Sequence, residues 1–255
     1  MGAMTIKQKT MQWLAGILLT VGGFLMVLPF LWMILSAFKP EPEFARFPPT
    51  LWPETFTLEH YVELFERMNF GVYLRNTLII VFFSFLGMLL NAMAGYGFAK
   101  YKFKGREPLF YLVLATLMIP GQVTMIPVYL ILNKMGLTNT MTGIVLPSLV
   151  GAFAIFLFRQ FMSTIPDELL EATRLDGAGE FRIFLQIVLP ISVSVLAVQG
   201  ILTFIAGWNS FLWPLIIAND AKYYTLSAVM VVPIIIVFLL FQRYIMDNYT
   251  ISGIK

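Results

Sequence analysis

The segment STIPDELLEATRLDGAGEFRIFLQIVLP, residues 163–190, interrupts a chain that is otherwise dominated by long apolar runs. Pro166 followed by two acidic residues predicts the start of a helix, because proline suits the first helical turn and acids favour the positive helix end. Gly177 predicts the end of that helix, since glycine enters the left-handed cap conformation at little cost. The segment therefore predicts a helix, a glycine turn and a second helix.

The second predicted helix presents four apolar residues on one face: Phe181, Phe184, Leu185 and Val188. Acidic residues outnumber basic ones in residues 163–190, which argues against a DNA-reading helix-turn-helix. Two interpretations remain. The segment is either a hairpin at the membrane interface or a docking element for a cytoplasmic partner, and the residue pattern alone leaves both open.

The chain as a whole is strongly apolar. Its 255 residues are 59% hydrophobic and only 12% charged, whereas a soluble domain is about one-quarter charged. A membrane-spanning helix needs about 20 mostly apolar residues. Six segments meet this requirement: 13–38, 74–98, 109–132, 142–162, 190–217 and 225–242. The sequence therefore predicts an all-α membrane protein with one transmembrane domain of six helices, in which 163–189 lies outside the membrane.

The distribution of Lys and Arg predicts the orientation, because these residues concentrate in cytoplasmic loops. A cytoplasmic N-terminus places eleven of the 17 Lys and Arg residues inside and six outside. The run from Lys100 to Arg106 favours this orientation most strongly. We therefore expect both termini and 163–189 to be cytoplasmic.

Two patterns within the spans predict how the helices are shaped and packed. Pro120 and Pro127 lie in the third span and should kink it. Small or amide residues occupy every fourth position of the second span and predict a close helix contact, across which the amide could form a hydrogen bond: Gly87, Asn91, Gly95 and Ala99.

In the outer loop, apolar residues from Leu58 to Met68 predict a further helix. His60 on this helix is expected to be solvated rather than to bind a metal.

The sequence offers no chemistry of its own to drive a reaction. It has no cysteine, no Gly-x-x-x-x-Gly-Lys-Ser/Thr phosphate-binding loop and no His-Glu-x-x-His metal motif. We therefore expect no catalytic residue, no metal site and no cofactor in this chain. Any energy for transport should come from another subunit.

The stretch EATRLDGA at 171–178, followed by IVLP at 187–190, resembles the EAA loop of binding-protein-dependent ABC transporter permeases. The spacing between its glycine and Ile-x-Leu-Pro matches that pattern, and Thr173 replaces a second alanine that is also small. The resemblance favours docking over the interfacial hairpin. It assigns contact with an ATPase subunit to nine residues: Glu171, Ala172, Thr173, Asp176, Gly177, Ala178, Ile187, Leu189 and Pro190.

Other stretches resemble the carbohydrate branch of these importers, the maltose and multiple-sugar type. They are RNTL at 75–78, AGYGFA at 94–99, MIP at 118–120, WNSFLWPL at 208–215 and FQRY at 241–244. One departure is large: that branch has an outer stretch of roughly twenty residues after Tyr-Thr-Leu, whereas here YTLS at 224–227 runs straight into Ala228 and Val229 of the sixth span. That helix is left barely long enough to cross a bilayer.

The resemblance implies a type I ABC importer permease in a bacterial plasma (inner) membrane that carries a sugar or oligosaccharide. Its implied partners are two cytoplasmic ATPase subunits that hold ATP and Mg, a second permease subunit and an extracytoplasmic solute-binding protein. No nucleic-acid partner is expected. A solute pathway is implied at Trp208, Asn209 and Trp213, because aromatic faces and amides bind sugars and an amide in a span is costly unless used.

The alternative is a proton-coupled secondary transporter. Such a carrier needs a buried acid or histidine in a span, and the six predicted spans contain no Asp, Glu or His. The sequence therefore favours the ATP-driven importer.

Overall fold

The computed structural model describes residues 6–67 and 69–226, and every regular element in these ranges is a helix or helical turn. The all-α prediction is confirmed for this part of the chain. Of the sixth predicted span, 225–242, only the first two residues fall within the described ranges. The rest of that span and both chain ends lie outside the described residues.

The chain forms two compact units, Met1–Asn69 and Phe70–Lys255. The first unit contains α1 (Ile6–Ser36), α2 (Glu41–Phe44) and α3 (Glu59–Val62), which continues as a π-helical turn, Glu63–Arg67. The helix predicted from the apolar spacing after Leu58 is therefore confirmed. The exposed ring of His60 places Nε2 2.9 Å from the carbonyl oxygen of Lys39.

The second unit begins with the longest helix of this unit and continues through shorter ones. In chain order they are α4 (Phe70–Lys100), α5 (Arg106–Thr116), α6 (Gly121–Lys134), α7 (Met141–Val145), α8 (Ala152–Met162), α9 (Asp167–Leu175), α10 (Glu180–Ile183), α11 (Leu189–Ile191), α12 (Val193–Trp208) and α13 (Leu212–Ile217).

Three helical segments of the described chain are long and apolar enough to cross a membrane: Met11–Ser36, Phe70–Lys100 and Met141–Met162, the last of which runs from α7 through a 3-10 turn, Leu146–Leu149, to α8. Two more candidates are bent pairs. α5 and α6 meet at 104°, and Glu180–Ile191 meets α12 at 84°. The described residues therefore hold between three and five candidate spans, and the six-helix count stays a prediction.

The third predicted span, 109–132, is broken rather than only kinked. α5 ends at Thr116, and Pro120 (φ −58°, ψ 131°) is the residue before α6. Proline has no N–H to donate and disfavours a helical residue before it, which accounts for a break there. Pro127 lies inside α6, which is continuous.

The fifth predicted span, 190–217, is not a single helix. The chain bends at Ser192, where the backbone leaves helical geometry (φ −86°, ψ 12°) two residues after Pro190. α12 then ends at Trp208, because Asn209 (φ −86°, ψ 10°) and Phe211 (φ −121°, ψ −54°) leave helical geometry. Asn and Ser side chains compete for backbone hydrogen bonds and favour helix ends, which the apolar run concealed.

The predicted close contact of the second span is confirmed, and its partner is the segment around α8. A Cβ atom on Gly87 would lie 2.6 Å from the Leu149 carbonyl oxygen, and one on Gly95 would lie 2.5 Å from Phe158 Cβ. Between them, Asn91 donates to the Leu149 carbonyl and accepts from the Gly151 N–H, both at 3.2 Å. The Asn91 side-chain amide therefore joins α4 to the segment that leads into α8, as predicted.

Candidate functional site

The first helix of 163–189 is fixed to the rest of the second unit along one side. α9 begins after Pro166, which has extended geometry (φ −60°, ψ 135°), and carries acids in its first turn, as predicted. Leu170 is 1% exposed and belongs to a core cluster that includes Ala92 of α4 and Phe158 of α8. The helix is therefore held by core packing as well as by its ends.

A Schellman cap ends α9, and Gly177 has the left-handed conformation that the sequence predicts (φ +82°). Ala178 donates its N–H to the Thr173 carbonyl at 3.2 Å, and Gly177 donates to the Arg174 carbonyl at 3.0 Å. These are the two hydrogen bonds that define the motif. No atom lies within 4 Å of the place where a Cβ on Gly177 would stand, so glycine is required here by its backbone conformation and not by space.

The second helix has a different face from the one predicted. α10 runs into a π-helical turn, Phe184–Val188, which holds more residues per turn than an α-helix. Phe184 and Val188 are buried, together with Ile183, whereas Phe181 and Leu185 are exposed by 62% and 45%. The prediction of one shared apolar face was wrong because it assumed α-helical spacing throughout.

The nine residues assigned to the ATPase contact divide into two groups. Exposed on this surface are Glu171, Ala172, Asp176, Gly177 and Pro190. Ala178, Ile187 and Leu189 are half-buried against the core cluster, and half-buried Thr173 donates its hydroxyl to the Leu169 carbonyl at 2.8 Å. The first group is accessible at the surface and the second packs inward, and the contact of either group with an ATPase subunit stays a prediction.

Three hydrogen bonds, which the sequence did not predict, connect 163–189 to Lys100 and Tyr101 at the end of α4. Lys100 donates to the Asp167 carboxylate at 2.7 Å and also to the Ile165 carbonyl. Tyr101 donates its hydroxyl to Glu180 at 2.5 Å. The hydrogen bond from Lys100 lowers the pKa of Asp167 below its ordinary value.

An ion pair spans the glycine turn itself. Arg174, in the last turn of α9, donates from Nε to Glu180 at 2.7 Å and from a terminal nitrogen to the same carboxylate at 3.2 Å. This hydrogen bond raises the pKa of Arg174 above its ordinary value. Both side chains are partly exposed, so the pair links the two helices but adds little to stability.

Large apolar side chains are exposed near the cap, among acidic ones. Leu175 is 89% exposed and Phe181 62% exposed, before and after Gly177 in the chain, and Leu169 and Leu185 are 40% and 45% exposed. Exposed apolar patches with polar rims mark sites of protein association. The loop therefore exposes large apolar side chains next to residues that are buried in the core.

The three residues assigned to the solute pathway are not equivalent in the structure. Trp208 is 4% exposed and stacks on Phe204 with ring centroids 5.6 Å apart. Trp213 is half-buried against a different cluster, which includes Ile80 and Ile217. Asn209 is exposed where α12 ends. The three side chains therefore differ in exposure and in their neighbours, and their role in a solute pathway stays a prediction.

Comparison with known proteins identifies related sequences along most of the chain. The family described as "Binding-protein-dependent transport system inner membrane component" matches residues 87–248. The arabinooligosaccharides transport system permease protein AraQ of Halalkalibacterium halodurans is 36% identical, with 98% of this chain and all of that protein aligned. The alignment has 281 positions and this chain 255 residues, so the relative contains residues with no counterpart here.

Two other relatives have different printed substrates. The sn-glycerol-3-phosphate transport system permease protein UgpE of Yersinia pestis is 35% identical, covering 83% of this chain and 78% of that protein. The lactose transport system permease protein LacG of Rhizobium radiobacter is 34% identical, covering 82% and 77%.

A solved structure supports the fold. It is a bacterial ABC transporter involved in the import of the acidic polysaccharide alginate, with a TM-score of 0.77 and 20% identity over 88% of this chain and 79% of that one. At this identity the likeness concerns the fold alone.

Proposed function

This chain belongs to the family of binding-protein-dependent transport inner membrane components, and from that premise we propose that it imports a sugar or oligosaccharide. It is a permease subunit of an ABC importer. The family is a membrane component and not the catalytic subunit, so ATP hydrolysis belongs to partner subunits. The proton-coupled alternative receives no support from these relatives.

The proposal of a sugar is supported by the relatives AraQ and LacG, whose names give arabinooligosaccharides and lactose as their solutes. The resemblance of residues 208–215 to the carbohydrate branch points in the same direction. The name of UgpE gives a phosphorylated polyol as its solute. Transport of a related anionic solute is therefore the outcome that competes with sugar transport.

We propose that the complex contains two ATPase subunits carrying ATP and Mg, a second permease subunit and an extracytoplasmic solute-binding protein. An ABC importer permease works with ATPase and binding-protein partners in general. In this proposal the chain crosses the bacterial inner membrane six times, with both termini and 163–189 in the cytoplasm.

The observation that carries the proposed coupling role is the exposed apolar surface on a loop that the core holds rigidly. Leu175 and Phe181 lie on either side of the Gly177 cap, while Leu170 and Phe184 bury the opposite side. A docking surface must transmit movement to the helices, and α9 is joined to α4 through Lys100. These contacts support docking of an ATPase subunit at 163–189.

Two measurements test this function. The complex, reconstituted in proteoliposomes with its ATPase and binding protein, should accumulate labelled arabinotriose or lactose only when ATP is present. Replacing Leu175 by Asp should abolish co-purification of the ATPase subunit, whereas Phe47→Asp, at an equally exposed residue of the first unit, should not. Uptake driven by a proton gradient without the ATPase, or intact co-purification of the Leu175 variant, would contradict the proposal.

A further inference from the structure

The stretch that follows α1 folds back onto the end of that helix, which is the candidate membrane span Met11–Ser36. The Phe38 carbonyl accepts the Thr57 N–H at 3.0 Å, and the Lys39 carbonyl lies 2.9 Å from Nε2 of His60. All of these residues belong to the first unit. The chain as far as His60 is therefore fastened to the end of a candidate span.

Lys39 holds the middle of this stretch beside the last turn of α1. Lys39 is 2% exposed, and its ammonium group lies 4.5 Å from the ring centroid of Trp32. The same ammonium group donates to the Thr50 carbonyl. Trp32 stands about one helical turn before the end of α1. The stretch therefore returns to the level of the helix end and does not extend away from it.

Glu43 gives the stretch a fixed shape. It is 8% exposed, and its carboxylate accepts the Thr50 hydroxyl at 2.6 Å and the Glu54 N–H at 3.0 Å. Hydrogen bonds to a charged acceptor are roughly twice as strong as those between neutral groups. Because the buried carboxylate holds two points of the stretch, the side chains between and beside them keep a defined orientation.

Four aromatic rings form one cluster on this stretch. Phe38 packs against Phe56 and Tyr61, with ring centroids 5.5 Å apart in both pairs, and Phe56 also contacts Trp52 at 6.4 Å. Trp52 is nevertheless 65% exposed, Phe56 63% and Tyr61 37%. We call these four residues the aromatic cluster. Two of its rings are largely uncovered, although the cluster begins directly after a candidate span.

The start of α3 extends this uncovered apolar surface. Leu58, Tyr61 and Val62 have the spacing of one helix face and are 62%, 37% and 50% exposed. Glu59 stands two positions before Tyr61 and therefore lies on the opposite side of α3. An exposed helix with one apolar and one charged side is typical of an element that lies in a bilayer surface.

We propose that the aromatic cluster and the apolar face of α3 lie in the headgroup region of the bilayer and fix the depth of α1. Trp and Tyr accumulate at this level of a membrane, because their rings are apolar while their polar atoms remain hydrated. A crossing needs about 20 residues and Met11–Ser36 has 26, so the end of α1 reaches the headgroup region. The contacts of Lys39 place the cluster beside that end. This role does not depend on which solute the importer carries.

The charges of this stretch favour a neutral lipid surface over anionic headgroups. Residues 37–58 contain two cations, Lys39 and Arg46. Lys39 is buried, and Arg46 pairs with Glu54 at 3.0 Å, so both are already engaged. A soluble partner would approach from the aqueous phase, whereas the rings lie beside the end of a candidate span. A zwitterionic bilayer is therefore the expected occupant.

Fluorescent labelling tests the position of the cluster, because the chain contains no cysteine. Trp52→Cys and Phe56→Cys, each carrying a nitrobenzoxadiazole label, are studied in the purified complex in phosphatidylcholine nanodiscs. Both labels should emit at a shorter wavelength than in water, and lipids with a nitroxide near the headgroup should quench them. A label on Glu59→Cys, the matched control on the charged side of α3, should emit as in water and be quenched much less.

Three results would overturn this position. One is the absence of quenching at both Trp52→Cys and Phe56→Cys, or equal quenching at Glu59→Cys. Another is a shift of emission that appears only after the solute-binding protein is added, which would make the cluster a protein docking surface. The third is quenching that requires phosphatidylglycerol, since neutral lipid should suffice.

A label on α1 tests the role of the cluster in fixing depth. Leu31, 45% exposed, is replaced by Cys and labelled in the same way. Replacing Trp52 and Phe56 together by Glu should drive the cluster out of the bilayer and move the Leu31 label toward water, so that its emission shifts to a longer wavelength. Phe47→Glu, at a 92% exposed ring outside the cluster, should leave the Leu31 label unchanged. The same emission in the double variant as in the parent would overturn the role in fixing depth.

Discussion

The ammonium group of Lys100, at the end of α4, lies 2.7 Å from a carboxylate oxygen of Asp167, in the first turn of α9. The Lys100 side chain is only 6% exposed, whereas that of Asp167 is 69% exposed. Because Lys100 also donates to the Ile165 carbonyl, it joins the longest helix of the second unit to the residues that lead into 163–189. A movement of α9 can therefore reach α4 directly.

Replacing Lys100 by Met should uncouple transport from ATP hydrolysis. The buried ammonium makes two hydrogen bonds, and the loss of a charged hydrogen bond costs about 1.5–3 kcal/mol. Solute uptake per ATP hydrolysed should fall several-fold in proteoliposomes. Asp167→Asn should have a smaller effect, because exposed ion pairs contribute only about 0–1 kcal/mol. Lys102→Met, at an exposed position two residues along, is the matched control. Unchanged coupling in the Lys100 variant would contradict this role.

Replacing Gly177 by Val should weaken docking of the ATPase subunit through backbone strain alone. A side chain at φ +82° costs about 1–2 kcal/mol, although the space around Gly177 is open. Gly179 is two residues away, has equally open surroundings and an ordinary φ of −71°, so Gly179→Val should be tolerated. Co-purification of the ATPase subunit and solute-stimulated ATP hydrolysis measure both variants. The same loss in both would show that the left-handed cap is not the cause.

Ala172→Asp should be more harmful than Gly177→Val. Ala172 lies exposed on α9, where a docked partner would bury it. An unpaired charge in that contact costs more than the ~1–3 kcal/mol of a buried neutral polar group. The variant should still insert into the membrane, since α9 lies outside the candidate long spans. If Ala172→Asp retained normal ATPase binding and stimulation, 163–189 would not be the docking element.

The features that the sequence predicts correctly are those set by local chemistry. Gly177 needs its left-handed conformation because of its position after α9, and the four-residue spacing of Gly87, Asn91 and Gly95 marks one helix face whatever packs on it. Pro120 interrupts the third predicted span because proline cannot donate a helical hydrogen bond, although the sequence predicts a kink there rather than the break that is found. Each of these predictions depends only on residues that lie close together in the sequence.

The features that the sequence misses depend on contacts between distant residues or on irregular geometry. Lys100 and Asp167 are 67 positions apart, and nothing in either neighbourhood indicates their pairing. Gln199 is a single amide in an apolar run, and only the positions of α4 and 148–154 show that it lines a cavity. The exposed face of Phe181 follows from a π-helical turn that no spacing rule for α-helices anticipates.

Single cysteines should establish the orientation of this cysteine-free chain. Gly105 and Gly179 are exposed in the loops predicted to be cytoplasmic, and Leu51, 77% exposed, lies in a loop predicted to be outside. Leu51 is a better reporter than its buried neighbour Pro53. A membrane-impermeant maleimide added to intact cells should label Leu51→Cys alone, and label all three after lysis. External labelling of Gly105→Cys or Gly179→Cys would overturn the predicted topology.

Replacing Gly95 by Ala should destabilise the permease, while the same change at Gly97 should not. A Cβ on Gly95 would stand 2.5 Å from Phe158 Cβ and 2.9 Å from the Arg159 nitrogen, so α4 and α8 would have to separate. Overpacking of this kind costs about 1–3 kcal/mol. Gly97 lies on the same helix with nothing within 4 Å of its Cβ position, so it gains only the helical preference of alanine, about 0.5–1 kcal/mol. Thermal unfolding of the purified complex should therefore shift downward for Gly95→Ala and upward or not at all for Gly97→Ala. Because both variants gain the same helical preference, the difference between them isolates the contact with α8, and equal shifts would mean that the two helices do not approach as closely as the structure indicates.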